Sequence, residues 1–267
     1  MAVVRRRWDE PVPDGLVLWR LEIALTSHRW LMRLDFSDER VLAVVAHPDD
    51  AELLCAGTLA RARDAGAVIA VCVACRGDKG QPQVLVDDLA IVRRAEMQQA
   101  AALLGAELFT LDQPDSELFD TVEVRRLLVE VARQFRPTLL LGHHPEDYHV
   151  DHRALSHLTE VVSWLATSPG FVTTSPPLET SPALWWLDLL QQQGPQPELY
   201  VDISGQLELK QRLLECHASQ LQRGNDGNFA PLAELMRQQA TLRGQQSGVI
   251  AAEGFTPYRA FKRTRAW

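Results

Sequence analysis

The chain has no run of about 18 apolar residues, so it offers no transmembrane helix. It has no excess of positive charge either. Its 27 basic and 35 acidic residues give a formal charge of −8. A mildly acidic protein is not drawn to phosphate backbones or anionic lipid, so no nucleic-acid partner is expected. The start lacks a secretory pattern. Arg5, Arg6 and Arg7 are followed by Asp9, Glu10, Pro11 and Pro13 rather than by an apolar segment, and cytoplasm is the expected compartment. No internal repeat or coiled-coil heptad is evident. Cysteine is scarce, at four in 267 residues. Cys72 and Cys75 form a C-x-x-C, which reads either as a redox pair or half a zinc site, or as two buried thiols. They lie on an apolar run with strand character. A spacing of three there puts the thiols on opposite faces, which favours the buried reading.

What is present is regular from Arg40 onward. Short, continuously apolar and β-branched runs at Val41–Ala46, Val68–Cys75, Glu107–Leu111 and Thr138–Gly142 read as strands, mostly buried on both faces. Between them, Ala51–Ala65, a segment from Asp87 or Asp88 to Leu104, and Thr121–Phe135 read as helices. Gly66 and Gly105 are placed as the residues after two of their ends. A helix to about Leu165 opens at Asp151 or His152. Further on, Ser168–Pro182 reads as a loop, and Ala183–Asp188 and Leu199–Ile203 as strands. Lys210–Leu221 and Pro231–Arg243 read as helices, with a turn at Asn225–Asn228. Strand alternating with helix implies an α/β fold, with a mostly parallel sheet covered on both faces. The length is within reach of one such domain. Residues 1–38 form an N-terminal extension of open role. Leu16–Leu34 there carries apolar residues at roughly helical spacing.

In sheets of this kind, ligands bind beyond the carboxyl ends of the strands. Polar clusters follow the first, second and fourth strands. After the first come His47, Pro48, Asp49 and Asp50. After the fourth come His149, Val150, Asp151 and His152. An imidazole and a carboxylate at one strand end, meeting imidazoles at the next, can hold one metal ion and leave a position open for water. A spare carboxylate can act as base. Read singly, Asp49 or Asp50 is better explained as a cap of the following helix. The two clusters together favour the metal reading.

The two clusters in this order resemble the signatures of the LmbE-like (PIG-L) N-acetylglucosaminyl deacetylase family. V-L-A-V-V-A-H-P-D-D-A-E-L-L-C-A-G at Val41–Gly57 is similar to the family's strand, metal loop and helix. P-E-D-Y-H-V-D-H-R at Pro145–Arg153 is similar to its second signature, with Val150 where proline is frequent. The resemblance covers about 40 to 260, which makes 39–267 the deacetylase domain. It implies a Rossmann-like three-layer fold with the metal site at the carboxyl ends of the strands. It also implies zinc, or another divalent metal, on His47, Asp50 and His152. Asp49 is then the general base, His149 a transition-state stabiliser or acid, and Asp151 the residue that orients His149. The implied activity is removal of an acetyl group from an N-acetylated sugar or related small amide, and a homo-oligomer is expected by resemblance only.

Arg76, in R-G-D-K-G, matches a loop on the family's substrate side, and reads as a substrate donor or as part of a solvated turn. His217, in H-A-S-Q, resembles a family segment near the pocket, and reads as a substrate residue or as a packed helical histidine. Arg93, Arg94 and Glu96 read as surface ion pairing. His143 and His144 flank the fourth strand with no role assigned. Trp185 and Trp186 either stack on a sugar or sit in the core. The alternative to an enzyme is a non-catalytic Rossmann-like binding or scaffold protein. A nucleotide-binding version expects G-x-G-x-x-G where H-P-D-D stands.

Overall fold

In the computed structural model, the described residues are 35–82, 84–190, 194–225 and 231–259. The extension up to residue 34, with its expected helix, lies outside them, as do residues 226–228 of the expected turn.

The β-branched run after Glu39 forms β1 (Arg40–Val45), whose last five residues are buried. β2 (Val68–Cys75), β3 (Glu107–Gln113), β4 (Leu139–Gly142) and β5 (Ala183–Leu187) lie parallel to it. Two more strands, β6 (Leu199–Asp202) and β7 (Ala252–Pro257), complete a seven-stranded sheet of order β3-β2-β1-β4-β5-β7-β6. β7 runs antiparallel to both its neighbours. Chain order departs in opposite directions from β1 and β4, so the crevice above these two strands is the switch point of the sheet. The fold is the expected mostly parallel α/β architecture.

The segment expected as one helix, Ala51–Ala65, is two. α1 (Asp50–Leu54) stops at Cys55, whose φ of −146° is not helical, and α2 (Ala56–Asp64) restarts the chain. The break has a partner. The Glu253 carboxylate, from β7, accepts Gly57 N–H at 2.9 Å and Thr58 N–H at 2.6 Å in the first turn of α2. A carboxylate there satisfies orphan donors and meets the positive end of the helix dipole.

α3 (Leu89–Leu104) ends at Gly105, with φ 73°, as expected. At its start, Asp88 occupies the cap position but its side chain makes no cap bond. α4 (Val122–Phe135) is capped by Thr121 Oγ1, which accepts Val124 N–H at 3.2 Å. α5 (Val150–Leu165) starts one to two residues earlier than expected, with His149 as its cap. The helix expected over Lys210–Leu221 is α6 (Leu207–Glu215) and α7 (Ala218–Leu221), separated at Cys216 and His217. α8 (Leu232–Ser247) precedes β7.

One face of the sheet packs Leu42, Val44 and Leu140 against Leu128 and Phe135 of α4 and Leu155 of α5. Cys72 and Cys75 are free and buried. Both join this same cluster rather than opposite faces. The pairing with β3 shifts register between Val73 and Cys75, so regular alternation ends there. Trp185 and Trp186 are core residues, 2% and 6% exposed, which removes the sugar-stacking reading.

Candidate metal centre and active site

β1 and β4 are hydrogen-bonded neighbours, with Val44 opposite Gly142. Their carboxyl ends bring the two polar clusters together. After β1 the chain turns sharply. Asp50 N–H donates to the His47 carbonyl at 3.3 Å, and His47 N–H donates to Asp50 Oδ2 at 2.7 Å. Asp49, inside this turn, has φ 113°. A side chain at that φ costs on the order of 1–3 kcal/mol and persists only where the surroundings enforce it.

Three donor atoms converge above the strands. Asp50 Oδ2 lies 3.5 Å from His47 Nδ1 and 3.3 Å from His152 Nε2, and the two imidazole nitrogens are 3.3 Å apart. Tetrahedral zinc, with ligand bonds near 2.0–2.2 Å, spaces its ligand atoms about 3.3–3.6 Å from one another. The residues therefore fit a zinc-sized cation. His143 Nε2 also approaches Asp50 Oδ2, at 3.4 Å, but accepts Ala46 N–H at 3.0 Å, so its lone pair is used. Its ring stacks on that of His152, with centroids 3.9 Å apart. Burial pushes His143 down to about 4, so it stays neutral beside the cluster.

Each imidazole of the triad has a carboxylate behind it. His47 Nε2 is 3.0 Å from Asp151 Oδ2, and His152 Nδ1 is 3.1 Å from Asp147 Oδ2. Such partners fix the tautomer and orientation of a ligating histidine. Burial lowers the affinity of His47 for a proton, but the hydrogen bonds to Asp151 and Asp50 outweigh it and raise the pKa to about 9. His152 behaves alike. Burial opposes the charge, and Asp50 and Asp147 prevail, raising the pKa to about 10. Burial pushes Asp50 up, yet the neighbouring His152 and His47 hold it well below the usual carboxylate range. The cluster is therefore tuned to hold positive charge.

The sequence reading has Asp151 orienting His149. In the structure the Asp151 carboxylate is 3.9 Å from His149 Nδ1, too far for a hydrogen bond. It binds His47 and accepts Ser116 N–H at 2.7 Å. His149 is held instead by the backbone, its Nδ1 accepting Asp151 N–H at 3.2 Å. This is the capping contact of α5, and it leaves Nε2 as the proton-bearing atom of the neutral ring. Burial, with His47 and His152 nearby, lowers the His149 pKa.

Asp49 stands beside the triad. Burial raises its carboxyl to about 6, against the opposing charge of Arg93. Arg93, expected in surface ion pairing, is instead 3% exposed, with Nη2 3.2 Å from Asp49 Oδ2. Arg94 does pair at the surface, with Asp112. Glu96 accepts Ser219 N–H and Oγ–H, both at 2.7 Å, at the start of α7.

These groups open into a cavity of about 340 Å³. Its lining includes His47, Asp49, Asp50, His149 and His152, together with the apolar Leu53, Leu54 and Leu232. Neither expected substrate residue lines it. Arg76 is exposed and pairs with Asp78 at 3.1 Å, so the solvated-turn reading applies, and Lys79 and Gly80 of that loop reach the cavity instead. His217 is fully buried, with Nε2 3.3 Å from Glu52 Oε2, as a packed histidine. Asp147 and Arg93 are what sequence reasoning missed. Asp147 lies within the quoted P-E-D-Y-H motif, two residues before His149, which was its available signal. Arg93 had none, because its partners are 16 and 45 residues away.

Fold and site together define a Rossmann-like α/β protein with a candidate metal centre at the switch point of its sheet. Residues 42–163 match the family model PIG-L, GlcNAc-PI de-N-acetylase. The chain is 32% identical over 233 residues to the diacetylchitobiose deacetylase of Thermococcus kodakarensis, covering 82% of this chain and 83% of the relative. It therefore belongs to the PIG-L (LmbE-like) family. Among solved structures, the N,N'-diacetylchitobiose deacetylase of Pyrococcus horikoshii superposes with a TM-score of 0.74 at 26% identity, over 84% of this chain and 85% of that one. A 4-carboxy-2-hydroxymuconate hydratase from Pseudomonas putida shares the fold, with a TM-score of 0.69 at 22% identity over 85% of this chain and all of that one.

Proposed function

We propose that the protein is a zinc-dependent N-deacetylase that removes acetate from an N-acetylated sugar. Family membership supports the reaction class. The observation that carries the metal reading is the convergence of His47 Nδ1, Asp50 Oδ2 and His152 Nε2, mutually 3.3–3.5 Å apart, beside an unligated Asp49. Zinc in such a site would polarise the amide carbonyl and bring the pKa of a bound water towards neutrality.

The protein's own groups then have defined tasks. Asp49 takes the proton of the attacking water, since it is the carboxylate of the turn that the donor triad leaves free. His149 donates from Nε2 to the oxyanion that develops on the carbonyl oxygen. Asp151 and Asp147 keep His47 and His152 in the tautomers that present a lone pair to the ion. The proton taken up by Asp49 then passes to the nitrogen as the C–N bond breaks, releasing acetate and the free amine. A non-catalytic scaffold has no use for a spare carboxylate held at φ 113° beside a donor triad.

The test measures metal content by elemental analysis and acetate release from N-acetylglucosamine and N,N'-diacetylchitobiose. About one zinc per chain, lost in His152→Ala, with turnover in the wild type and a drop of at least about 100-fold in Asp49→Asn, is expected. A fully active Asp49→Asn protein that retains zinc would falsify the assignment of the base.

A further inference from the structure

The R-G-D-K-G loop, Arg76–Gly80, stands out in the sequence, yet its arginine points its charge at Asp78, outside the cavity. The loop is nevertheless tightly fixed. Asp115 Oδ1 accepts Gly77 N–H at 2.8 Å, Asp115 Oδ2 accepts Lys79 N–H at 3.1 Å, and Asp78 Oδ1 accepts Asp115 N–H at 2.9 Å. The Gln220 amide donates to the Gly80 carbonyl at 2.9 Å.

What this frame encloses is Arg93. A Cβ on Gly77 would stand 2.7 Å from Arg93 Cδ and Nη1, and one on Gly80 would stand 2.8 Å from Nη1. A side chain at either position would push the guanidinium out of this place. Gly77 also has φ 77°, which favours glycine on its own account. Inside the socket, Nη1 donates to the Gly77 carbonyl at 3.3 Å, and Nη2 donates to the Pro48 carbonyl. The same Nη2 lies 3.2 Å from Asp49 Oδ2. One planar group thus ties the loop after β2 to the residue before Asp49 and to the Asp49 carboxylate itself.

We infer that Arg93 is a positioning residue for Asp49, and that Gly77 and Gly80 build the socket that aims it. The inference rests on the reading of Asp49 as the base. Asp49 and Asp50 are adjacent acids with different tasks, and they must be kept apart. Asp50 is turned towards the other two donors by His47 N–H and the histidines. Asp49, at its positive φ, directs its carboxylate to Arg93 Nη2 instead. A guanidinium bridging the Pro48 carbonyl and the Asp49 carboxylate fixes the side chain relative to the peptide before it, while its other nitrogen holds the Gly77 carbonyl, a fork that a lysine's single ammonium does not offer.

The test uses zinc-loaded full-length protein, N,N'-diacetylchitobiose as substrate, and metal content measured for every variant. Arg93→Ala is expected to lower kcat about 10–100-fold with KM within about twofold, because a misplaced base costs rate rather than binding. Millimolar guanidinium should restore part of that rate. Gly80→Ala keeps the arginine but crowds Nη1, and is expected to lower kcat in the same direction should Arg93→Ala fold poorly. Arg94→Ala, on the surface, should match the wild type. A rise in KM at unchanged kcat would make Arg93 a substrate donor and overturn the inference. So would an unchanged kcat per zinc-loaded molecule with only a lower Tm. Asp49→Asn separates the two readings. If it is inactive while Arg93→Ala and Gly80→Ala keep full kcat, positioning alone fails. If Asp49→Asn is active, the base assignment fails first.

Discussion

His47 and His152 are raised to about 9 and 10 although both are buried. Their carboxylate partners make an imidazolium where a cation is meant to sit. In the metal-free protein the facing His47 Nδ1 and His152 Nε2, 3.3 Å apart, hold at least one proton between them at pH 7, and a metal must displace it. Zinc uptake is therefore expected to release about one to two protons near pH 7, with affinity rising by about one to two orders of magnitude per pH unit below pH 9. The sign for stability is opposite. Raised histidine pKa values stabilise the metal-free fold below about 6.5, and that contribution is lost as pH rises through about 9. Titration calorimetry in buffers of different ionisation enthalpy counts the protons directly. The same experiment places Asp151. Because its carboxylate holds His47 and not His149, Asp151→Asn should weaken zinc binding about 10–100-fold. His149→Ala should leave affinity near that of the wild type. Equal affinity in Asp151→Asn and the wild type would return Asp151 to a role on His149.

The elements show where reading the sequence stops. β1, β2 and β4 announce themselves through unbroken β-branched and apolar runs. β7 does not, since A-E-G-F-T-P carries a glycine, a proline and a buried acid in place of a pattern. Its meaning is tertiary. Glu253 fills the gap made by the break at Cys55, and Lys210 of α6 neutralises it while donating to the Leu53 carbonyl at 3.0 Å. Neither the break in the helix nor the strand that answers it is a local property, so both were missed together. The same holds for Arg93, whose periodicity says only that it lies on a helix. The Lys210–Glu253 pair is 1% and 4% exposed, and removing one member of a buried pair costs on the order of 3–5 kcal/mol. Glu253→Ala is expected near the upper end, since it also strips two helix donors. Lys210→Met should cost less, because Gly57 and Thr58 still hold the carboxylate. Urea unfolding at fixed zinc concentration reads both, and equal costs would mean that the helix donors contribute nothing.

At the scale of the molecule, the alternation of strand and helix was enough to set the sheet and put the polar clusters at its switch point. The fold does not by itself name the reaction, as a hydratase with the same architecture makes plain. Chemistry resides in the loops after β1 and β4. The core beneath them is closed without them. β1 is buried along all but its first residue, and Leu42, Val44 and Leu140 of the sheet pack on Leu128 and Phe135 of α4 and Leu155 of α5. The metal is therefore expected to act as a ligand of a finished fold, not as its keystone. Stripping with a chelator should leave the far-UV circular dichroism unchanged. It should lower Tm only by the linkage term, about 4 kcal/mol at a thousandfold excess of free zinc over Kd. Within that range the shift should grow with the logarithm of free zinc and vanish in His152→Ala. Collapse of the dichroism on stripping would instead make the triad part of the folding core, and a shift that persists in His152→Ala would place the stabilising ion elsewhere.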